Sequence, residues 1–592
     1  MPLFRKSSLV WIFFVAACSH SAPVTTATFP ERDLKLYEAT ARDFVIASQG
    51  EATTLAARRM FEQGGNIVDA AVAASFTIAV ERPQSTGVAG GGFMVMFLPT
   101  KKVTTAADFR ERAPAQAHEK MYQDAKGEVI AGKSSEGALA VGVPGMVAGN
   151  LEIHKKYGSL PLATVLAPAI ELAEKGVTVY PHLAAAIEAM KETLWESEAG
   201  RALFFRGKDQ PLKLGDVLKQ PQLAKVLRTI AAKGRNGFYK GWVADAILKE
   251  QKRLGGWISQ KDLNDYKVRF REPVKDDFGP YEILSMPPPS SGGVHVIEIL
   301  NVLEEMPLAE KGAYAIDTIH ATAGAMQLAY HDRAKYLGDP DFIKVPLKTL
   351  TSDVYAGELR KLLDPAKAKT FKEVAPPNAF PESSETTHFT IADKEGNVIS
   401  STQTINGWFG SGVVVPGTDI VLNNEMDDFS AKPGVANKFG LIGGKENAIA
   451  PGKRPLSSMS PTIVLENGKA VLALGSPAGS QIITCVALTA MNYLRYKMPL
   501  YEAVASMRYH HQWTPDELLV EKPGLAPEVE DALKKRGWTV KTGDIGCKVQ
   551  AVAIENGQLH GVSDPRGEGL VAGEGPVAVS AKPATESHVP AD

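Results

Sequence analysis

A threonine at the start of a strand pattern is the residue of this sequence best suited to covalent chemistry. Residues 385–390 read Glu-Thr-Thr-His-Phe-Thr and follow a turn-rich stretch, residues 375–385. A threonine hydroxyl is a weak nucleophile unless a base lies beside it. If the peptide bond before Thr386 were cut, the new α-amino group would be that base, with an ordinary pKa of about 7.7–8.0. Taken alone, however, a Thr-Thr-His segment is better explained as plain strand residues.

Other common catalytic signatures are incomplete. Gly90-Gly-Gly92 lacks the Gly-Lys-Ser/Thr of a phosphate-binding loop. Gly475-Ser-Pro-Ala-Gly479 places its serine one position too early for a nucleophile elbow. His510-His511 lacks the spacing of a zinc-binding helix, and Glu425 with Asp427-Asp428 lacks that of a calcium loop. The sequence therefore predicts structural histidines and no metal site.

The elements that must position Thr386 alternate between helical and extended patterns. Apolar spacing predicts a helical layer over residues 145–260 and hairpins after residue 385. Together these patterns predict an α+β sandwich. The individual segments are helices over 54–61, 68–80 and about 480–494, and strands over 93–98, 106–110, 387–392, 398–405, 462–465 and 470–474.

Composition excludes several classes of protein. The 592 residues include 65 Lys and Arg against 67 Asp and Glu, a net charge of −2 that lacks the basic surface of a nucleic-acid binder. Apolar residues make up 44%, which indicates a globular core, although residues 572–592 form a Gly-, Ala- and Pro-rich tail that we expect to be disordered. Three cysteines exclude a disulfide framework, and whether Cys485 pairs with Cys547 stays open.

The N-terminus has the pattern of an export signal. Two basic residues precede an apolar run, Leu9 to Ala17, that is too short to span a bilayer. The run ends in Val-Ala-Ala-Cys18, which resembles the cleavage box of a bacterial lipoprotein. Residues 1–17 are therefore predicted to be a signal peptide and Cys18 a lipidated first residue, the alternative being an ordinary secretory signal. Either way we expect a periplasmic protein that reaches a membrane only through a lipid anchor.

Further motifs follow in a fixed order along the chain, and together they resemble γ-glutamyltranspeptidase, an N-terminal nucleophile hydrolase. The resemblance extends from about Val45 to Pro565 and implies a four-layer αββα sandwich. It also implies a precursor that cleaves itself between Glu385 and Thr386 into a large subunit, residues 18–385, and a small subunit, residues 386–592. The motifs are Asp108-Phe-Arg-Glu-Arg-Ala-Pro114, Ser401-Thr-Gln-Thr-Ile-Asn406, Leu422-Asn-Asn-Glu-Met-Asp-Asp-Phe429, Arg454-Pro-Leu-Ser-Ser-Met459 and Gly475-Ser-Pro-Ala-Gly479.

The resemblance assigns the catalytic groups. It makes Thr386 the nucleophile, Thr404 its hydrogen-bonding partner, and the backbone N–H groups of Ala478 and Gly479 the oxyanion hole. The family usually has two glycines at this last site, and we expect the methyl of Ala478 to be tolerated if its φ stays negative.

The resemblance also assigns the groups that would hold a γ-glutamyl zwitterion. Arg110 would hold the α-carboxylate, with Ser457 and Ser458 as hydroxyl donors. Asn406, Glu425 and Asp428 would take the α-ammonium. Residues 433–444 match a lid loop in which Phe439 stands where a gating tyrosine is expected, and Arg112 has no assigned role.

The implied activity is γ-glutamyl transfer from glutathione and related compounds to water, amino acids or dipeptides, without metal or organic cofactor. A glutaryl β-lactam acylase on the same fold is the nearest alternative, although its substrate would leave Asn406, Glu425 and Asp428 without an ammonium. The second alternative is an unprocessed, inactive lipoprotein that binds γ-glutamyl peptides.

Overall fold

The protein was analysed as a computed structural model that describes residues 37–207, 209–369 and 385–576. The strands are β1 Glu38–Ala41, β2 Phe44–Ser48, β3 Gly91–Leu98, β4 Val103–Asp108, β5 Val177–Thr178, β6 Phe205–Gly207, β7 Gln210–Pro211, β8 Val217–Leu218, β9 Arg269–Arg271, β10 Val274–Phe278, β11 Tyr281–Ser285, β12 Thr387–Asp393, β13 Val398–Thr404, β14 Val414–Val415, β15 Ile420–Val421, β16 Thr462–Glu466, β17 Lys469–Gly475, β18 Tyr509–His510, β19 Leu518–Glu521, β20 Val540–Gly543, β21 Gln550–Glu555, β22 Gln558–Ser563 and β23 Leu570–Gly573. The helices are α1 Glu51–Glu62, α2 Ile67–Glu81, α3 Met146–Tyr157, α4 Leu162–Lys175, α5 Pro181–Ala189, α6 Lys191–Trp195, α7 Glu198–Phe204, α8 Pro221–Lys233, α9 Asn236–Tyr239, α10 Trp242–Arg253, α11 Gln260–Asp265, α12 Gly292–Glu304, α13 Ile316–Tyr336, α14 Leu347–Leu350, α15 Asp353–Arg360, α16 Ile482–Leu494, α17 Leu500–Ala505 and α18 Pro527–Lys535.

Two seven-stranded sheets form the centre of the molecule. The first has the order β23-β2-β12-β13-β3-β4-β9, and the second β1-β22-β21-β17-β16-β11-β10. The sheets pack face to face where β12 and β13 contact β17 and β21. Each sheet combines strands from before and after residue 385, so the chain around Thr386 is central to the fold.

Alternation along the strands of the first sheet sorts side chains between two apolar layers. Val45 and Phe93 join the core between the sheets, whereas their neighbours Ile46 and Met94 join the core beneath helices α2, α4 and α8. Because both faces are covered, these strands are apolar at nearly every position. Helices α12, α13 and α16 cover the second sheet in the same way. This is the expected four-layer αββα sandwich, and it is confirmed.

The predicted elements lie close to their observed positions, with two corrections. The helix expected from residue 480 begins at Ile482, after a 3₁₀ turn at Gly479–Gln481. The tail expected to be disordered from residue 572 is ordered at its start, because β23 extends to Gly573 and pairs with β2, and residues 577–592 lie outside the described residues. The strand pattern was missed because glycine and alanine dominate this segment, while its partners are distant in sequence.

The structure answers the question of the cysteine pair and covers the search for membrane spans, but it does not describe the N-terminal signal. Cys485 and Cys547 form a disulfide, which answers the question that the sequence left open. Within residues 37–207, 209–369 and 385–576, no helix is long and apolar enough to cross a membrane. Cys18, the signal peptide and residues 375–384 of the turn-rich stretch lie outside the described residues.

Candidate active site

The hydroxyls of Thr386 and Thr404 meet because β12 and β13 are adjacent antiparallel strands. Thr387 lies opposite Gln403, so the register places Thr386 opposite Thr404 one residue further along. The Thr386 Oγ1 donates a hydrogen bond of 3.1 Å to Thr404 Oγ1, as expected for a nucleophile and its partner. Thr404 Oγ1 also accepts the backbone N–H of Asn406 at 2.8 Å, which fixes the acceptor in place.

The backbone at Thr386 is strained. Its φ is 111°, a left-handed value that a β-branched residue rarely adopts. Strain of this kind persists only where the surrounding structure imposes it, and it concentrates at reactive sites. Both Thr386 and Glu385 are buried, so the strained peptide bond is held inside the protein.

His388, the nearest imidazole in sequence, is not a candidate base. Burial lowers its pKa to about 3, so the ring is neutral. Its nitrogens are hydrogen-bonded to the hydroxyls of Thr402 at 2.8 Å and Thr390 at 3.0 Å. The α-amino group that cleavage would create at Thr386 is therefore a better source of base than this histidine.

Arg110 lies at the centre of a buried charge cluster. It follows β4 and donates one hydrogen bond to Glu425 and another to Asp428, both within a single 3₁₀ turn. Its Nε donates to the carbonyl of Pro455 at 3.3 Å. Burial alone would lower the pKa of Arg110, but Glu425, Asp428 and Glu111 raise it above its ordinary value. The sequence placed these residues in one site but did not predict that they would pair with each other.

Glu111 is a buried carboxyl group that the sequence interpretation missed. Neither of its oxygens has a hydrogen-bond partner among the described residues, and one lies 4.0 Å from Arg110. Burial and the charge of Glu425 raise the pKa of Glu111 well above its ordinary value. Gly91 admits this side chain, since a Cβ at Gly91 would lie 2.3 Å from Glu111 Oε2. The available signal was its position inside the motif that begins at Asp108.

Burial also raises the pKa of Glu425 to about 7, although Arg110 opposes the shift. Two full negative charges on Glu425 and Glu111 are unfavourable at neutral pH, because both groups are buried and the charge of Glu425 raises the pKa of Glu111. The site can gain or lose a proton within the physiological range.

Ser457 and Ser458 line the same cavity as Arg110, and helix α13 contacts Ser458. Arg333 of that helix donates to Ser458 Oγ at 3.3 Å and to Ser291 Oγ at 3.0 Å. Arg333 is buried and has no carboxylate partner within 4.0 Å in the described part of the chain. Burial lowers its pKa to about 10, which leaves it charged at neutral pH. Nothing in the local sequence around Arg333 indicated this position.

The turn proposed as an oxyanion hole differs from expectation at Ala478. Its φ is 109°, so the condition of a negative φ, under which we expected the methyl to be tolerated, is not met, and the alanine adopts a conformation that favours glycine. Gly479 follows with φ 49°. Both positions of this turn between β17 and α16 are therefore left-handed.

The predicted lid lies over this turn. In residues 433–444 the Asn437 side chain accepts the N–H groups of Phe439 and Leu441. The Phe439 ring covers Gly479, where a Cβ would lie 2.7 Å from a ring carbon. Arg112 is directed elsewhere, with its guanidinium 5.5 Å from the ring centre of Tyr266.

One small cavity brings the predicted residues together. Ala478 does not line it, and a larger cavity of about 630 Å³ around Arg82 and Tyr180 shares none of its lining. Among the described residues no group of three or more His, Cys, Asp or Glu could hold a metal ion. The predicted residues that line the small cavity are Arg110, Thr386, Thr404, Asn406, Glu425, Asp428, Phe439, Ser457, Ser458 and Gly479.

Comparison with known proteins agrees with this arrangement. A sequence profile of the family described as "Gamma-glutamyltranspeptidase" matches residues 53–574. The "Glutathione hydrolase proenzyme" of Escherichia coli (strain K12) is 43% identical over 579 residues, covering 97% of this chain and 99% of the relative. A crystal structure of a cephalosporin acylase from Bacillus halodurans superposes with a TM-score of 0.80 at 28% identity, covering 93% of this chain and 98% of that one. A Helicobacter pylori γ-glutamyltranspeptidase structure matches with a TM-score of 0.53 at 37% identity, covering 58% and 95%. The chain therefore belongs to the γ-glutamyltranspeptidase family of N-terminal nucleophile hydrolases.

Proposed function

We propose that this protein is a γ-glutamyltransferase and glutathione hydrolase that matures by cutting its own chain between Glu385 and Thr386. The observation that carries the proposal is the hydrogen bond between Thr386 Oγ1 and Thr404 Oγ1, at the edge of a cavity that also contains paired opposite charges. A hydroxyl nucleophile beside a site for a zwitterion suits an amide substrate that carries an amine and a carboxylate at the end remote from the amide bond.

Self-cleavage would begin with attack of Thr386 Oγ1 on the carbonyl carbon of Glu385. The C–N bond breaks as an ester forms, and water then hydrolyses the ester to release a carboxylate at Glu385. The products are a large subunit, residues 18–385, and a small subunit, residues 386–592, which begins with the free amine of Thr386. The strained backbone at Thr386 favours this step because cleavage releases the strain.

In turnover, Thr386 Oγ1 would attack the γ-carbonyl of glutathione while its α-amino group takes the hydroxyl proton. The N–H groups of Ala478 and Gly479 would stabilise the oxyanion, aided by the N-terminus of α16. The amine returns the proton to the departing Cys-Gly. Water, an amino acid or a dipeptide then attacks the γ-glutamyl ester and regenerates the enzyme.

Substrate binding would use the charge cluster as a preformed receptor. Arg110, Ser457 and Ser458 would bind the α-carboxylate, and Arg333 would add positive charge through Ser458. Asn406, Glu425 and Asp428 would bind the α-ammonium. Because Arg110 already pairs with two carboxylates, the protein orders these side chains before substrate arrives.

We further propose that the chain is exported to the periplasm and anchored through lipid at Cys18, since the N-terminal segment has the pattern of a lipoprotein signal. The acylase alternative draws support from the Bacillus halodurans structure. The buried Glu425 and the half-buried Asp428 favour the transferase, because a glutaryl group offers them no cation.

The test compares the purified protein with a Thr386→Ala variant by denaturing gel and intact mass. We expect two fragments, with a new N-terminus at Thr386, and a single chain from the variant. The processed protein should then hydrolyse a γ-glutamyl anilide far faster than a glutaryl anilide. Folded wild-type protein that stays whole would refute the enzyme, and a preference for the glutaryl anilide would establish the acylase.

A further inference from the structure

The turn at residues 475–481 is fastened to a second loop, residues 545–548, by contacts at both of its ends. The N–H of Gly546 donates to Gln481 Oε1 at 2.9 Å, and the N–H of Lys548 donates to Ser476 Oγ at 3.1 Å. Between them, Cys547 Sγ lies 3.6 Å from the carbonyl oxygen of Gln481. The second loop therefore holds the turn that carries Ala478 and Gly479.

A disulfide makes this attachment covalent. Cys485 lies in the first turn of α16, directly after the 475–481 turn, and is bonded to Cys547 of the second loop. Both cysteines are fully buried. They form a small apolar cluster with Ile545 and with the methyl group of Ala478. The disulfide is thus packed against the residue that has the unfavourable backbone conformation.

Ala478 needs such support. At φ 109° and ψ 50° the Cβ of an alanine is sterically unfavourable, whereas glycine has no Cβ. Without restraint, the backbone of this turn would therefore move toward negative φ. Such movement would rotate the N–H groups at residues 478 and 479 relative to Thr386. A side chain enclosed by a crosslinked cluster cannot make that movement without breaking its packing.

We propose that the Cys485–Cys547 disulfide is a positioning element for the reaction, which holds Ala478 in the left-handed conformation required for oxyanion stabilisation. The proposal rests on the proposed function, because the turn must serve as the oxyanion hole. The disulfide would then increase kcat in addition to stabilising the folded protein.

The test uses processed Cys485→Ala/Cys547→Ala enzyme, with Val486→Ala as the matched control. Val486 lies on the same helix but belongs to the main apolar core and not to the small cluster of Ala478 and the two cysteines. Both variants should lower Tm. Only the cysteine variant should lower kcat for γ-glutamyl anilide hydrolysis, by about tenfold, with KM within about twofold, because misplaced donors weaken transition-state binding.

A third substitution distinguishes positioning from general loosening. Ala478→Gly adopts positive φ without steric cost, so adding it to the double cysteine variant should restore most of kcat while Tm stays low. If the cysteine variant does not mature, processed wild-type enzyme reduced with a phosphine is assayed instead, with reduction verified by the gain of two hydrogens in intact mass. The same fall in kcat is expected.

Three results would overturn the inference: an unchanged kcat with a lower Tm, an equal loss of kcat in Val486→Ala, or no recovery with Ala478→Gly. Failure of the proposed function is a separate result, seen as a wild-type enzyme inactive on the γ-glutamyl anilide. The comparison is then made on the glutaryl anilide, whose tetrahedral intermediate needs the same turn.

Discussion

The two sides of the active site are built in different ways. On the nucleophile side, Thr386 and Thr404 are neutral hydroxyls on neighbouring strands, 18 positions apart. On the charge side, Arg110 pairs with Glu425 from 315 positions away, across the proposed cleavage site. A strand register sets the first arrangement, whereas the second depends on the whole fold. Damage to the nucleophile side should therefore affect kcat alone, and damage to the charge side should affect stability and binding together.

Arg110→Met is expected to have the largest effect, because it removes the cation from the buried Glu425 and from the half-buried Asp428. Breaking a buried pair costs about 3–5 kcal/mol of stability. We expect a marked fall in Tm and a loss of kcat/KM for the γ-glutamyl anilide of at least about 10²-fold. Arg112→Met is the control, since its guanidinium lies over Tyr266 outside the cavity. Wild-type Tm and KM in Arg110→Met would contradict this account of the charge side.

Thr404→Val should break only the nucleophile side. It keeps the shape of the side chain but removes the oxygen that accepts from Thr386 and from the Asn406 N–H. We expect kcat to fall by about 10²-fold, which is the lower end of the effect of losing a group that assists proton transfer, with little change in KM. Thr402→Val on the same strand, whose hydroxyl contacts His388, is the control. A rise in KM with unchanged kcat would assign Thr404 to substrate binding.

Arg333→Met tests whether a charge outside the cavity contributes to substrate binding, because Arg333 contacts Ser458 but does not itself line the cavity. Loss of its hydrogen bond to Ser458 and of its charge should raise KM for the γ-glutamyl anilide by about tenfold, the value of one charged hydrogen bond. Turnover of a 4-aminobutyryl anilide, which lacks the α-carboxylate, should not change. An equal loss on both substrates would show that Arg333 has only a structural role.

The pKa of Glu425, raised to about 7 by burial, makes the charge side sensitive to pH. Its carboxylate is the form that binds an ammonium, so KM should fall several-fold, and by no more than about tenfold, between about pH 6 and 8. Glu425→Gln should flatten this dependence, whereas Asp393→Asn, at a buried carboxyl with pKa about 6 outside the cavity, should not. A pH profile that Glu425→Gln leaves unchanged would exclude this group.

The free energy of unfolding should respond to pH in the opposite direction to substrate binding: it should decrease as the pH rises. Because folding raises the pKa of Glu425, proton binding favours the folded state. This contribution is complete below the ordinary pKa of 4.5 and is lost as pH rises through about 7. The difference in Tm between wild type and Glu425→Gln should therefore change over that interval.

Phe439→Tyr is expected to have the smallest effect. A new hydroxyl on the ring that covers Gly479 can add one hydrogen bond across the closed lid, worth about 1 kcal/mol. The ratio of transfer to hydrolysis, measured with a dipeptide acceptor, should change two- to threefold while donor KM stays constant. A change in donor KM alone would place the ring in substrate binding.

The strand and helix patterns predicted an α+β sandwich, and the resemblance of the motifs predicted its four layers, the Thr386 and Thr404 pair and ten of the residues that line the cavity. The conformation of Ala478 could not, because φ depends on how β17 and α16 meet rather than on local sequence. Arg333 was missed because only the packing of α13 brings it to Ser458. Glu111 stood inside a recognised motif, but its burial beside Glu425 depends on the close approach that Gly91 permits.

The mixed origin of the two sheets has a further consequence for the lifetime of the protein. Five strand pairs, β2 with β23, β2 with β12, β3 with β13, β1 with β22 and β11 with β16, join residues from opposite sides of the Glu385–Thr386 bond. Neither fragment contains all the strands of either seven-stranded sheet, so the cut must follow folding. Once cut, two unfolded fragments would have to find each other without the connection that first brought their strands together. The persistence of the mature enzyme is then governed by how slowly it unfolds rather than by a reversible equilibrium.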